Sequence, residues 1–472
     1  MSKSPTVIPI IPASAGSGIE AVRRIHPRAV NGTFSRVRWV LVWLTQAVFY
    51  GLPWLNWQGR QAVLFDLEGR RFHLFGAVLL PQDLILLTGV LVFSALLLFA
   101  ATALYGRVWC GFACPQTVYT EIFMWVEQRM EGDRLARLRL DAAAWTPEKL
   151  ARRGGKHLAW SAIALVTGFS LVGWFTPIRT LAAAAPHFAI GPWEAFWILF
   201  YGGATYLHAG VLREKICQHA CPYGRFQGSM LEAATRVVAY DTARGEPRGA
   251  RARGVDASAV GQGDCVDCTL CVQVCPVGID IRRGMQAECI SCGLCIDACN
   301  EVMDKMKAPR GLVRFAALSG AAARPAHRRL RVMAYGVGLL AVGSAVVAGF
   351  AARPELRLNV LRDRTVLSRQ LPDGGVENVY RLQVMNASLD ARRLSVEAFV
   401  DAPGGARLHV PDAHVLAVGP AATSSAVVTL RMDAPEAMRH AAPVTLPIHI
   451  QVRDAASGRD GEAVSASTFL LR

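Results

Sequence analysis

Eight cysteines stand in two runs of one spacing, Cys265-x2-Cys268-x2-Cys271-x3-Cys275-Pro276 and Cys289-x2-Cys292-x2-Cys295-x3-Cys299-Asn300. Thiolate is a soft ligand, and three at intervals of three wrap a tight loop whose sulfurs converge on three irons of a cube. The fourth, about one helical turn further on, points away and reaches the neighbouring cube. The spacing predicts two 4Fe-4S clusters, one on Cys265, Cys268, Cys271 and Cys299, the other on Cys289, Cys292, Cys295 and Cys275. Single-electron transfer is the chemistry of such a pair. Zinc on CxxC pairs is the competing reading, and the doubled array disfavours it. Pro276 turns the chain away after the first run; Asn300 replaces it in the second, which alters backbone direction and not ligation.

Four more cysteines form two similar motifs, Cys110-x3-Cys114-Pro115 and Cys217-x3-Cys221-Pro222. If helical, a separation of four puts each pair on one face. Four soft thiols that meet would favour Cu(I), zinc or a further iron-sulfur centre. His219 is a candidate additional ligand or a helix-end cap. Inert packing is the alternative for all of them, because free cysteine is often a small buried apolar residue.

The elements that must position these groups are mostly apolar helices. The 472 residues are 52% hydrophobic with a net charge of +15, too apolar for an ordinary soluble enzyme and too charged to lie in lipid throughout. Five stretches approach the roughly 20 residues needed to span a bilayer: 39–57, 84–105, 157–175, 193–212 and 332–352. Trp39, Trp54, Trp57, Trp174 and Trp193 cluster at their ends, as interfacial aromatics do.

Basic residues set the orientation. Segment 106–156 carries Arg107, Arg129, Arg134, Arg137, Arg139, Lys149, Arg152, Arg153 and Lys156, whereas the 176–192 loop carries only Arg179. The former is expected in the cytoplasm, together with segment 213–331, which is rich in arginine. The C-terminal region is then periplasmic. This placement also accounts for the positive charge without nucleic acid, and no nucleic-acid partner is expected. Residues 1–38 lack an apolar core and are expected to stay cytoplasmic. Cysteines spaced for metal point to a reducing compartment and not to a disulfide framework.

Both Cys-x3-Cys-Pro motifs follow an inward-running span, which suggests a parallel internal repeat. Between them, 118–140 mixes aromatics and charges at helical spacing and predicts one amphipathic helix, either interfacial or solvated. Beyond the last span, 355–361, 379–385, 394–400, 426–432 and 444–452 alternate apolar and polar residues between turn formers, and a small antiparallel β-sandwich fits.

The expected architecture is a multidomain membrane protein: a tail at 1–38, a four-span domain at 39–231, a cytoplasmic two-cluster ferredoxin-like module at 232–331, a fifth span at 332–352 and a periplasmic β-domain at 353–472. The two-cluster cysteines, Cys221-Pro-Tyr-Gly-Arg-Phe-Gln227 and Arg244-Gly-Glu-Pro-Arg248-Gly249 together resemble the CcoG/FixG/RdxA family of cytochrome c oxidase accessory proteins. The resemblance runs over most of the chain. It implies an immunoglobulin-like C-terminal domain and a role in assembling a cbb-type oxidase by reducing Cu(II) to Cu(I), with oxidase assembly factors or copper-handling proteins as partners. Copper at the Cys-x3-Cys motifs is one form that role would take. Two other readings stay open: a quinol-linked electron-transfer subunit for a periplasmic reductase, and a non-redox assembly scaffold. The absence of a Cys-x-x-Cys-His haem motif disfavours the former. The electron donor is not legible.

Overall fold

The structure is a computed structural model, and it describes residues 10–11, 25–318, 329–362, 368–401, 407–411, 415–437, 444–454 and 461–471. The expected 1–38 tail and 319–328 lie wholly or partly outside these residues. The chain forms two compact units, 1–55 with 88–345, and 56–87 with 346–472.

Among the described residues, three helices are long and apolar enough to cross a membrane: Pro81–Tyr105, Pro192–Leu212 and Leu330–Ala351. The expectation of five spans is therefore met by three on length and composition. The stretches expected at 39–57 and 157–175 fall within or overlap helices Thr33–Gly51 and Pro147–Val172. Arg36 and Arg38 in the one, and Lys149, Arg152, Arg153 and Lys156 in the other, dilute the apolar character. The Pro192 helix is α-helical to Thr205 and continues as a wider π-turn over Tyr206–Leu212.

Within the first unit, Pro147–Val172 and Pro192–Thr205 pack backbone to backbone through glycines. A β-carbon on Gly168 would lie 2.3 Å from the Ile198 carbonyl oxygen, and one on Gly202 3.2 Å from that of Ala164. Small residues four apart, Ala164 and Gly168, are the usual device for close approach of apolar helices.

The segment expected as one amphipathic helix over 118–140 is two, Pro115–Glu131 and Arg134–Ala142. Gly132 at φ +89° breaks it, and Asp133 caps the second by accepting from the Ala136 N–H. Its first part exposes one face, with Trp125, Gln128 and Met130, and buries the other. Phe123 is fully buried against Trp160, with stacked rings 5.2 Å apart, and Glu127 is fully buried beside them. Glu127 accepts from Arg213 and, at 3.2 Å, from Arg137, with the Lys156 ammonium 3.8 Å away. Lys156 also pairs with Glu131 at 2.7 Å. Desolvation opposes charge on Glu127, but Arg213, Lys156 and Arg137 outweigh it and hold its carboxyl below the usual range.

The two-cluster segment sits in the same unit. Strands Arg236–Tyr240 and Val313–Ala317 pair antiparallel and bracket it. Its helix Leu294–Met306 caps the first long helix: Asp297 accepts from the Phe34 and Ser35 N–H groups at 3.3 and 2.8 Å. Asn300, the departure from the proline pattern, accepts from the Gly311 N–H at 3.0 Å and so fixes the returning chain.

The second unit is a two-sheet sandwich. One sheet places Val376–Asn386 between Leu356–Arg362 and Thr423–Met432; the other runs Arg392–Val400, Val444–Asp454, Glu462–Leu471. Tyr380, Leu382, Leu430, Ile448 and Phe469 fill its core. All five strands expected here form, and Val415–Val418 and Glu462–Leu471 are among those the alternation reading omitted. The 56–87 segment, expected within the four-span domain, instead belongs to this unit: Arg71 donates to the Ala421 carbonyl and Arg357 to Asp83.

Removing one partner from a buried ion cluster leaves the others uncompensated, so Glu127→Gln should lower unfolding stability by about 3–5 kcal/mol. Glu301→Gln, at an exposed pair with Lys305, should cost less than about 1 kcal/mol. Denaturant unfolding of the detergent-solubilised protein compares them; equal losses would remove the structural role of Glu127.

Candidate functional site

The two cysteine runs fold alike. In each, the residues flanking the second cysteine are left-handed: Asp267 and Thr269 at φ +51° and +57°, Ser291 and Gly293 at +54° and +75°. Three of these are not glycine, a conformation that is costly unless the fold enforces it. Backbone N–H groups face several of the sulfurs. Cys275 faces the N–H groups of Ile279, Val277 and Gly278, Cys289 that of Ser291, Cys292 that of Leu294, and Cys299 that of Val313. Such donors stabilise charge on cluster sulfurs.

Two voids result. One is lined by Cys265, Cys268, Cys271 and Cys299 with Leu312 and Val313. The other is lined by Cys275, Cys289, Cys292 and Cys295 with Val277, Ile279 and Ile290. Cys271 borders both, so the two voids are neighbours. Desolvation pushes Cys271 and Cys289 up to about 12 and Cys275 and Cys299 up to about 11, and raises Cys292 and Cys295 as well. Thiols so placed carry charge only when a metal takes it. Four thiols around an apolar void, with N–H groups aimed at the sulfurs, fit an iron-sulfur cube.

The other four thiols come from two matching corners. Cys110 lies in helix Val108–Phe112 and Cys217 in the turn Ile216–Ala220; Cys114 and Cys221 each cap a following helix that opens on proline, Pro115–Glu131 and Pro222–Phe226. The single helical face expected for each pair is thus replaced by a corner, because proline cannot continue the preceding helix. The corners are tied together. Arg107 donates to the Gly224 carbonyl, and Cys110 Sγ lies 3.7 Å from Gln227 Oε1. Gln227 is itself fully buried and donates to Gly106 O and to the hydroxyls of Thr102 and Tyr223.

The four thiols lie close enough to repel as thiolates. Burial pushes Cys110 up to about 12, with Cys114, Cys217 and Cys221 adding; burial also pushes Cys217 up to about 11, helped by Cys114 and Cys221. His219 sits exposed on the turn between Cys217 and Cys221. Among the described residues no three His, Cys, Asp or Glu side chains meet at the spacing of a single bound ion. A cube spreads its ligands wider than an ion does, so this spacing does not bear on the cluster sites.

Cys110 packs in one apolar cluster with Ile290 and Cys292. A β-carbon on Gly111 would lie 2.6 Å from the Ile290 carbonyl oxygen and 2.9 Å from Cys292 Cα. Only glycine allows this approach. Sequence reasoning missed the contact, although Cys-Gly in the first motif against Cys-Gln in the second was a visible signal.

Paired cysteine voids, apolar helices and a terminal β-sandwich define a membrane-associated two-cluster iron-sulfur protein. A family model described as 4Fe-4S dicluster domain matches 212–318, one described as 4Fe-4S binding domain matches 87–131, and one described as IG-like fold at C-terminal of FixG matches 346–472. The chain is 40% identical to Protein RdxA of Cereibacter sphaeroides, covering 94% of this chain and 96% of that one. It is 36% identical to the nitrogen fixation protein FixG of Rhizobium meliloti over 80% and 79%, and 38% identical to Protein RdxB of C. sphaeroides over 83% and 85%. The chain belongs to the FixG/RdxA family and is an iron-sulfur electron-transfer protein.

In metal-free protein the raised thiols should be slow to alkylate at pH 8. Thiolate grows tenfold per pH unit below the pKa, so iodoacetamide labelling of Cys110 and Cys217 should climb about tenfold per unit from roughly pH 8 to 10. An ordinary thiol would level off near its usual 9.0. Peptide-resolved mass spectrometry reads both sites, and an early plateau would place them in water.

Proposed function

We propose that this chain reduces Cu(II) to Cu(I) for assembly of a cbb-type cytochrome c oxidase, delivering the product to copper-handling proteins or oxidase assembly factors. Cubes held by Cys265, Cys268, Cys271 and Cys299 and by Cys289, Cys292, Cys295 and Cys275 supply single electrons, the number each Cu(II) needs. Cys110, Cys114, Cys217 and Cys221 are soft donors that favour Cu(I) over Cu(II) or hard cations. His219 is positioned to meet an arriving ion from solvent. The observation that carries the reading is the packing of the Cys110–Gly111 corner directly on the Ile290–Cys292 loop. An electron leaving that loop finds soft ligands as its nearest exit.

The same contact supports five crossings. Residues 56–87 and 346–472 form one unit, and the Cys110 corner packs on the 289–295 loop, so each pair shares a side of the membrane. Crossings at Pro81–Tyr105, Pro192–Leu212 and Leu330–Ala351 alone would separate both pairs. Adding Pro147–Val172 reunites both, and Asp297, which accepts from the Phe34 and Ser35 N–H groups, keeps the start of Thr33–Gly51 on the cluster side, so that helix crosses as well. With the basic segments inside, the clusters face the cytoplasm and the C-terminal domain the periplasm.

A second reading is favoured by the 4Fe-4S binding match over 87–131, which contains Cys110 and Cys114 but none of the eight array cysteines. Completed by Cys217 and Cys221, that site would hold a third cluster.

Iron analysis separates the two readings: about eight irons per chain for two cubes, about twelve for three. Replacing Cys110 and Cys217 by serine should leave the iron content at about eight and the cluster spectra unchanged, while weakening Cu(I) retention and slowing Cu(II) reduction about tenfold or more. Unchanged copper chemistry in that variant would sink the copper site. For topology, a reporter active only in the periplasm should work when fused after Asp401 and be silent after Gly263; the reverse pattern would invert the assignment.

A further inference from the structure

A groove opens between helix Thr33–Gly51 and helix Pro115–Glu131, with about 1360 Å³ of void including its open mouth. Its inner wall is formed by Val274, Pro276 and Leu294. These are chain neighbours of Cys275 and Cys295, so a molecule in the groove lies one residue's thickness from the second cysteine void. Trp39 and Trp43, on successive turns with ring centroids 6.4 Å apart, face the groove from one helix, and Trp125 faces it from the other.

We propose that this groove binds the head group of a lipid-soluble quinol, which supplies the electrons. The inference rests on the iron-sulfur reading of Cys275, Cys289, Cys292 and Cys295, and it names the donor that reading lacks. A flat ring with oxygen at both ends needs aromatic walls and hydrogen-bonding groups between them. Trp39, Trp43 and Trp125 are the walls. The groove also holds the Gln128 amide, which donates to a carbonyl, and the Glu121 carboxylate, paired with Arg38 at 2.8 Å, which accepts from a hydroxyl. The tail has a route out, because Val40, Trp43, Leu44 and Val48 form an exposed apolar face on the same helix.

The electron count also fits. Oxidation breaks two O–H bonds, releasing two protons to water and two electrons, and each cluster site accepts one electron. Copper removes them singly, so two adjacent one-electron sites hold the pair between a two-electron donor and a one-electron acceptor.

The test uses full-length, cluster-loaded protein in phosphatidylethanolamine/phosphatidylglycerol nanodiscs and a photoreactive azidobenzoquinone with a ten-carbon tail. Label should appear in the Thr33–Gly51 and Pro115–Glu131 peptides, be displaced by unlabelled decylbenzoquinone, and fall roughly tenfold when Trp43→Ala and Gln128→Leu, both at exposed positions, are combined. The reduced probe, added anaerobically, should bleach cluster absorbance in the parent. Label spread over all lipid-facing helices without displacement would make the tryptophans an interfacial belt and overturn the proposal. So would equal labelling of the variant, or failure of the quinol to reduce clusters that dithionite does reduce. Clusters reduced with dithionite, then freed of excess reductant by anaerobic gel filtration before Cu(II) is added, test the copper reading separately, since that route bypasses the groove.

Discussion

Sulfur buried in an apolar interior carries charge only if something takes that charge from it, and most of this protein's first unit answers to that requirement. Cys271, Cys275, Cys289, Cys292, Cys295 and Cys299 all lie where burial disfavours thiolate. The fold offsets part of the cost with backbone N–H groups from Val277, Gly278, Ile279, Ser291, Leu294 and Val313. In the second run the left-handed Ser291 and Gly293 lie at or beside two of those donors, Ser291 and Leu294. Bound iron would take the rest. The backbone is therefore part of what stabilises charge on the sulfurs.

The second set of thiols depends on a different buried charge. Glu127 lies on the helix that Cys114 caps, and its partner Arg213 stands four residues before Cys217. Through that pair the helix leaving the first corner holds the chain entering the second. Arg137 and Lys156 complete the cluster from two other helices. Trp160 lies under Lys156 and Arg213 at 5.0 and 5.4 Å, adding cation–π attraction in a site shielded from water. The two corners that carry the four thiols are thus joined through buried charges as well as through Arg107 and Gln227.

These two devices differ in how far the sequence discloses them. Metal-ligand spacing is local, so the eight array cysteines and their division into two sets could be read directly, and period-two alternation disclosed five strands of the sandwich. Arg137, Lys156 and Arg213 were equally visible, but as basic flanks that set orientation. Nothing local marks them as buried, because their shared partner, Glu127, is 10, 29 and 86 positions away. The helices Thr33–Gly51 and Pro147–Val172 carry charges of the same kind: Arg38 pairs with Glu121 and Lys156 with Glu131, and nothing local in the sequence shows that these charges point into ion pairs and not into water. The placement of 56–87 with the C-terminal sandwich depends on Arg71 reaching the Ala421 carbonyl and Arg357 reaching Asp83, across some 270 to 350 residues, which no periodicity reports.

The internal repeat shows where pattern and geometry part. Both copies keep the cysteines and the proline, because the corner needs a helix that stops and another that starts. Between the cysteines they diverge, Gly-Phe-Ala in the first and Gln-His-Ala in the second. At Gly111 the backbone of Ile290 and Cys292 leaves no room for a β-carbon, and Phe112 is buried. The matching positions, Gln218 and His219, carry no such restriction, and His219 is exposed. One copy is fitted to the cluster loop and the other is open to water. The two corners therefore present their four thiols between the 290–292 loop on one flank and solvent on the other.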